Sequence, residues 1–222
     1  MLASDQVIIF DCDGVLVNSE VIYHAVEMDH LARIGLIYEP LAYSVRFTGL
    51  HGRDFMAALR ADHAKLDQGP FPEDFQNNMV RDMYVRMETE LAVVDGIHDL
   101  LDRHSGLRAV ASSSAMKGLR RKLEITDLGH RFDGHVYSGD QVEHGKPAPD
   151  LFLMTADKLG AAPEECLVLE DSVNGVKAGV AAGMTVWGFT GAGHADDGLG
   201  ARLKAAGAHD IVSSFAEMTA LF

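Results

Sequence analysis

Val7-Ile8-Ile9-Phe10-Asp11-Cys12-Asp13-Gly14-Val15-Leu16-Val17-Asn18-Ser19 is an apolar run that stops at two acids one residue apart. A short apolar run bounded by a turn signal reads as a buried strand. The acids then stand at the carboxyl end of a strand, where open parallel sheets place their ligands. Two carboxylates at a strand tip can hold a divalent cation. They can also divide labour, one as nucleophile and the other as proton donor. Gly14 permits the sharp turn that follows them.

Downstream, the pattern changes twice. Residues 19–35 predict a helix with apolar positions at Val21, Ile22, Val26, Leu31 and Ile34, and 40–47 and 51–63 predict two more. Gly69-Pro70-Phe71-Pro72 is a linker signal. Residues 72–90 predict a longer helix, with Met79, Met83 and Met87 as a core stripe four residues apart. No strand pattern interrupts 19–91. From Gly96 onward strands and helices alternate. Strands are predicted at 107–111, 135–137, 166–169, 184–189 and 210–212, with helices at 115–124, 149–159 and 173–182. Alternating β and α units mean a parallel sheet with right-handed crossovers, so the helical block reads as an insertion after the first strand.

Three further segments carry chemistry at or beside strand ends. Ser112-Ser113-Ser114 offers hydroxyls and, where it opens a helix, backbone N–H groups suited to a phosphate. Lys146 lies in Gly145-Lys146-Pro147-Ala148-Pro149, where two prolines stiffen the loop. Glu170-Asp171 again places acids at the end of an apolar strand. Each alone has a plain alternative: a helix cap for the serines and for the acids, a solvated lysine for Lys146. Their order along one sheet edge favours a shared site. Carboxylates would hold a hard cation such as Mg²⁺, while serine, amide and lysine groups would take phosphoryl oxygens. Such a set points to phosphoryl transfer by positioning and charge.

Composition narrows the partners. The chain has 222 residues, 47% of them hydrophobic, and a formal net charge of −14. That charge argues against tracking nucleic acid or docking on an anionic membrane. No secretory leader and no membrane-spanning run is legible. Cys12 and Cys166 fit no metal or redox spacing and read as buried thiols, in keeping with a reducing, cytoplasmic location. Gly188-Phe189-Thr190-Gly191-Ala192-Gly193-His194 lacks dinucleotide-binding spacing and is assigned no role. The eleven histidines form no ligand cluster along the sequence.

Together these segments resemble those of the haloacid dehalogenase superfamily, in the branch of beta-phosphoglucomutase and its sugar-phosphatase relatives. The resemblance implies an α/β fold: a Rossmann-like parallel-sheet core at 1–18 and 92–222, and an inserted all-helical cap at 19–91 that closes over the site. It implies Asp11 as a nucleophile that becomes an aspartyl-phosphate, and Asp13 as leaving-group acid and then water-activating base. Mg²⁺ would sit at Asp11, Asp171 and the backbone carbonyl of Asp13, with Glu170 near it. Ser112, Ser113 and Lys146 would bind phosphate. The implied activity is a Mg²⁺-dependent phosphatase acting on a small phosphorylated sugar, sugar acid or polyol, as a monomer or weak dimer. The mutase is the alternative, but its basic pair in the cap loop is not reproduced. Thr48 replaces a lysine, and Gly52 stands where an arginine is expected, with Arg53 one place late. The mutase histidine after the first motif falls on Tyr23, with His24 one place late. Thr48, His51 and Arg53 are the candidate substrate contacts. Lys65, the cap's one lysine, lies past that loop and is discounted as a Schiff-base residue. A phospho-accepting receiver domain would share acids, a hydroxyl and a lysine but would lack the Asp-x-Asp pair and the insertion.

Overall fold

Six parallel strands, β1 (Val7–Phe10), β2 (Arg108–Ser112), β3 (Val136–Ser138), β4 (Cys166–Glu170), β5 (Thr185–Phe189) and β6 (Asp210–Val212), form one sheet ordered β3-β2-β1-β4-β5-β6. The computed structural model describes residues 5–47 and 52–221. The helices are α1 (Ser19–Arg33), α2 (Pro40–Phe47), α3 (Gly52–His63), α4 (Phe75–Glu90), α5 (Ile97–Arg103), α6 (Met116–Ile125), α7 (Asp150–Leu159), α8 (Val173–Ala181), α9 (Leu199–Ala205) and α10 (Phe215–Thr219).

The sheet is covered on both faces, and alternation along each strand shows it. Ile8 and Phe10, Val110, and Leu167 and Leu169 join a core with α5, α6 and α10 residues such as Leu100, Leu119 and Phe215. Ile9, Ala109 and Ala111, and Cys166 and Val168 join the opposite core with Phe152 of α7, Val176 of α8 and Leu203 of α9. Period-two side chains on a doubly covered sheet require apolar residues at every position, which is why β1 and β4 read as unbroken runs. Both cysteines are buried and unpaired. The chain runs outward from β1 to β3, then crosses back to β4 beside β1. That reversal opens a crevice at the carboxyl ends of β1 and β4.

Contacts divide the chain into Met1–Glu20 with Leu91–Phe222, and Val21–Glu90. In the first unit the turn after β1 folds back tightly: the N–H groups of Leu16 and Val17 donate to the Cys12 carbonyl, and Gly14 N–H donates to the Val17 carbonyl. Residues 16–18 then pair with 92–94, so the two chain passages that bound the helical segment are fixed side by side. In the second unit, Tyr38, Tyr43, Phe47 and Phe55 make edge-on and tilted ring contacts across α2 and α3. Met79 and Met87 are buried on α4, and Met83 between them is half-buried.

Some boundaries differ from the sequence reading. α4 begins at Phe75 rather than Pro72, because Pro72 and the residues after it form a turn. Helices α5, α9 and α10 have no counterpart in the sequence reading; at five to seven residues they are too short to show a helical stripe. α6 begins at Met116, so Ser113 and Ser114 do not open the helix directly. Among the described residues no helix is long and apolar enough to cross a membrane.

Candidate active site

Asp11 follows β1, and its N–H donates to the Leu169 carbonyl of β4, which fixes its backbone at the crevice. Glu170 ends β4 and Asp171 follows it. Oxygen atoms of Asp11, Glu170 and Asp171 lie within 4.8 Å of one another, and all three residues are buried. Lys146 Nζ donates to Asp11 Oδ1 at 2.6 Å, Glu170 Oε1 at 2.5 Å and the Ala111 carbonyl at 2.9 Å. Its three protons are therefore all engaged. The ammonium also lies 4.8 Å from the Phe152 ring centroid.

The electrostatics of this cluster are unbalanced. Burial, then the crowding of Glu170 and its neighbours, pushes the Asp11 and Asp171 carboxyls well above their usual range, although Lys146 opposes the rise. Burial works against the charge on Lys146, but Asp11 and Glu170 outweigh it and push its pKa up. Ionised together, these three carboxylates against one ammonium would leave an excess of negative charge that one divalent cation would balance. An all-oxygen set suits Mg²⁺ rather than a thiophilic metal.

Two glycines make the crowding possible. Gly14 has φ +75°, and a β-carbon there would lie 1.9 Å from Asp171 Oδ2. A β-carbon on Gly175, in the first turn of α8, would lie 1.8 Å from Glu170 Oε1. The Ser172 side chain caps α8 by accepting from Gly175 N–H, and both Ser172 N–H and Oγ–H donate to Glu170 Oε2.

Asp13 sits in a second, adjoining cluster. Its Oδ1 pairs with the Lys122 ammonium and accepts from Ser19 Oγ at 2.5 Å. Its Oδ2 accepts from Ser114 Oγ at 2.7 Å, with Ser112 Oγ at 3.5 Å. Burial would raise this carboxyl, but the Lys122 charge and the hydrogen bonds from Lys122, Ser19 and Ser114 hold it below its ordinary value. The Asp13 carboxylate is not part of the acidic cluster of Asp11, Glu170 and Asp171. Ser112 Oγ accepts from Ser114 N–H at 3.1 Å, which leaves the Ser113 N–H as the amide of that pair without this local partner. Ser113 is exposed.

The sequence reading therefore named Asp11, Lys146, Glu170 and Asp171, which come together, and Asp13 and Ser112, which adjoin them. It missed Lys122, Ser19, the Ser114 side chain and His194. Lys122 was findable: it falls between Leu119 and Leu123 on the apolar stripe of α6, where a charge needs a partner. His194, from the loop given no role, places Nε2 at 3.1 Å from Asp171 Oδ2. Burial pushes its pKa down. No local signal marks it. Thr48 and His51 lie outside the described residues, and Arg53 belongs to the first turn of α3.

Comparison with known proteins gives a consistent set. The model of the haloacid dehalogenase-like hydrolase family matches residues 6–183. The chain is 31% identical to the fructose-1-phosphate phosphatase YqaB of Escherichia coli (strain K12), over 80% of this chain and 92% of that protein. It is 26% identical to the 6-phosphogluconate phosphatase of the same organism, over 83% and 82%. The crystal structure of a HAD family hydrolase from Deinococcus radiodurans R1 with bound phosphate and sodium superimposes with a TM-score of 0.83. Its identity is 33%, and 99% of this chain and 96% of that one are covered.

Proposed function

The chain belongs to the haloacid dehalogenase-like hydrolase family and is a phosphoric monoester hydrolase, and from that premise we propose that it is a Mg²⁺-dependent phosphatase of small phosphorylated sugars, sugar acids or polyols. The observation that carries this reading is the Asp11, Glu170 and Asp171 cluster, with Lys146 bonded to Asp11. The resemblance to enzymes named for fructose 1-phosphate and 6-phosphogluconate supports the substrate class.

In this mechanism Asp11, Glu170 and Asp171, with the backbone carbonyl of Asp13, would hold the ion. Bound there, Mg²⁺ would offset the negative charge of the phosphoryl oxygens. Ser112 and the Ser113 amide bind and orient the phosphate, and Lys146 exchanges one of its three acceptors for a phosphoryl oxygen. An Asp11 oxygen attacks phosphorus, and the bond to the sugar oxygen breaks. Asp13 gives that oxygen its proton. The incoming phosphate dianion raises the proton affinity of Asp13, against the pull of Lys122. Water then attacks the aspartyl-phosphate, its proton goes to Asp13, and the bond between phosphorus and Asp11 breaks.

Residues 19–91 serve as the cap, and Thr48, His51 and Arg53 as contacts to the leaving group. Replacing Arg53 by Ala should raise KM or lower kcat for the preferred sugar phosphate and leave acetyl phosphate hydrolysis little changed. An unchanged substrate profile after all three are replaced would remove this loop from substrate selection.

The decisive assay is phosphate release from 6-phosphogluconate, fructose 1-phosphate and glucose 1-phosphate with Mg²⁺. Release that ceases on chelation and in Asp11→Asn is the expected result. Interconversion of glucose 1-phosphate and glucose 6-phosphate faster than phosphate release would overturn the phosphatase reading in favour of the mutase.

A further inference from the structure

We infer that Lys122 is a positioning residue for the acid–base carboxylate of Asp13, acting directly on one oxygen and through Ser114 on the other. This rests on the reading of Asp13 given above. The Lys122 ammonium pairs with Asp13 Oδ1 and donates to Ser114 Oγ at 2.8 Å. Ser114 Oγ in turn donates to Asp13 Oδ2 at 2.7 Å. Each hydrogen has one direction in this chain, from ammonium to hydroxyl to carboxylate. Gripping both oxygens fixes the plane of the carboxylate, which a single bond would leave free to turn. Ser19 adds a second bond to Oδ1.

The grip is anchored. Lys122 is 2% exposed, and Leu119 and Leu123 beside it on α6 are buried in the core. The ammonium has no solvated alternative to leave for. The backbone that carries the linking hydroxyl is also held, since Ser138 Oγ donates to the Ser114 carbonyl at 2.7 Å. Lys146 grips Asp11 in parallel. The two acids of Asp-x-Asp are thus seated by different lysines from different elements, which keeps nucleophile and proton carrier apart.

A residue that acts only by aiming Asp13 should matter only where Asp13 moves a proton. Cleavage of a sugar phosphate leaves an alkoxide that must be protonated. Cleavage of p-nitrophenyl phosphate leaves a stable phenolate that needs no proton. Lys122→Met, which retains the length of the stem, should lower kcat/KM for 6-phosphogluconate or fructose 1-phosphate at least about tenfold. The value for p-nitrophenyl phosphate should fall less than about threefold. Added to Asp13→Asn, the same change should alter the sugar-phosphate value by less than about twofold.

Equal losses on both esters, or a full additional loss in the Asp13→Asn background, would overturn the inference. Where Lys122→Met does not fold, Ser114→Ala removes the shared hydroxyl. It should lower the ratio of sugar-phosphate to aryl-phosphate kcat/KM by at least about threefold. An unchanged ratio overturns the inference equally. A wild-type enzyme inert toward both ester types with Mg²⁺ would overturn the phosphatase reading itself; an active enzyme with uniform losses overturns only the role of Lys122.

Discussion

Gly175 has no room for a side chain, because a β-carbon would meet Glu170 Oε1 at 1.8 Å. Gly175→Ala must therefore displace the Glu170 carboxylate, which also holds Lys146 and accepts two hydrogen bonds from Ser172. Metal affinity should fall about 10- to 100-fold, as for the loss of a supporting group around a metal. Activity titrated against Mg²⁺ reads this directly, and an unchanged half-saturation point would count against Glu170 as part of the ion's seat. Asp171→Asn should act in two opposite ways. It removes a like charge from a crowded, buried trio, so the metal-free protein should melt higher than wild type. It should also lose its response to Mg²⁺. A lower melting temperature without metal would mean that the carboxylate's bonds outweigh its repulsion.

The helical elements α2 and α3 are joined by a small charged network. Asp62 accepts from Arg46 Nε at 3.0 Å, Lys65 Nζ at 2.6 Å and Tyr38 Oη at 3.1 Å. The Arg46 hydrogen bond leads in holding its carboxyl down to about 2, with Lys65 and Tyr38 adding to it. An unfolded aspartate titrates near 3.9. A folded pKa below the unfolded one stabilises at pH values above about 4, and that contribution is lost as pH falls from about 4 towards 2. Arg46 and Lys65 are largely solvated, which screens the pair. The contribution at neutral pH is then about 1 kcal/mol. Asp62→Asn should be less stable than wild type by that amount in urea at pH 7, and the two should converge near pH 2. A difference that persists at pH 2 would assign the effect to packing instead. α6 shows the complementary lesson. Its stripe of Leu119 and Leu123 was legible as a helix, but the lysine between them reads as functional only once Asp13 is brought opposite.

At the scale of the molecule, metal binding and folding of the unit Met1–Glu20 with Leu91–Phe222 should be linked. The carboxylates proposed to hold the ion come from Asp11 near one end of the sequence and from Glu170 and Asp171 far along it, and they meet only in the folded sheet. An ion that binds the folded state alone, at a hundred times its Kd, adds about 2.7 kcal/mol. For a protein of this size that is about 5–10 °C in Tm. Melting with Mg²⁺ and with chelator should show this rise in wild type and none in Asp171→Asn. Equal melting in both conditions would mean that the cluster does not bind Mg²⁺ at that concentration.

The sequence alone determined the strands, the long helices and the α/β class, because these are set by short-range rules. Apolar runs at 7–10 and 166–169 must be covered on both faces, and acids cannot follow them into the sheet interior. It also marked Asp11, Asp13, Glu170 and Asp171, since acids at strand ends stand out against apolar neighbours, and Lys146, since two prolines stiffen its loop. What tertiary structure decided is which charge meets which. Lys122 reaches Asp13 across 109 positions of sequence, and Lys146 reaches Asp11 across 135. His194 arrives at Asp171 from a glycine-rich loop with no pattern of its own. Such pairings depend on strand order and on the crossover back to β4, and neither leaves a periodic trace near the residues it joins. A buried charge announces that it has a partner. The chain's path through space alone names it.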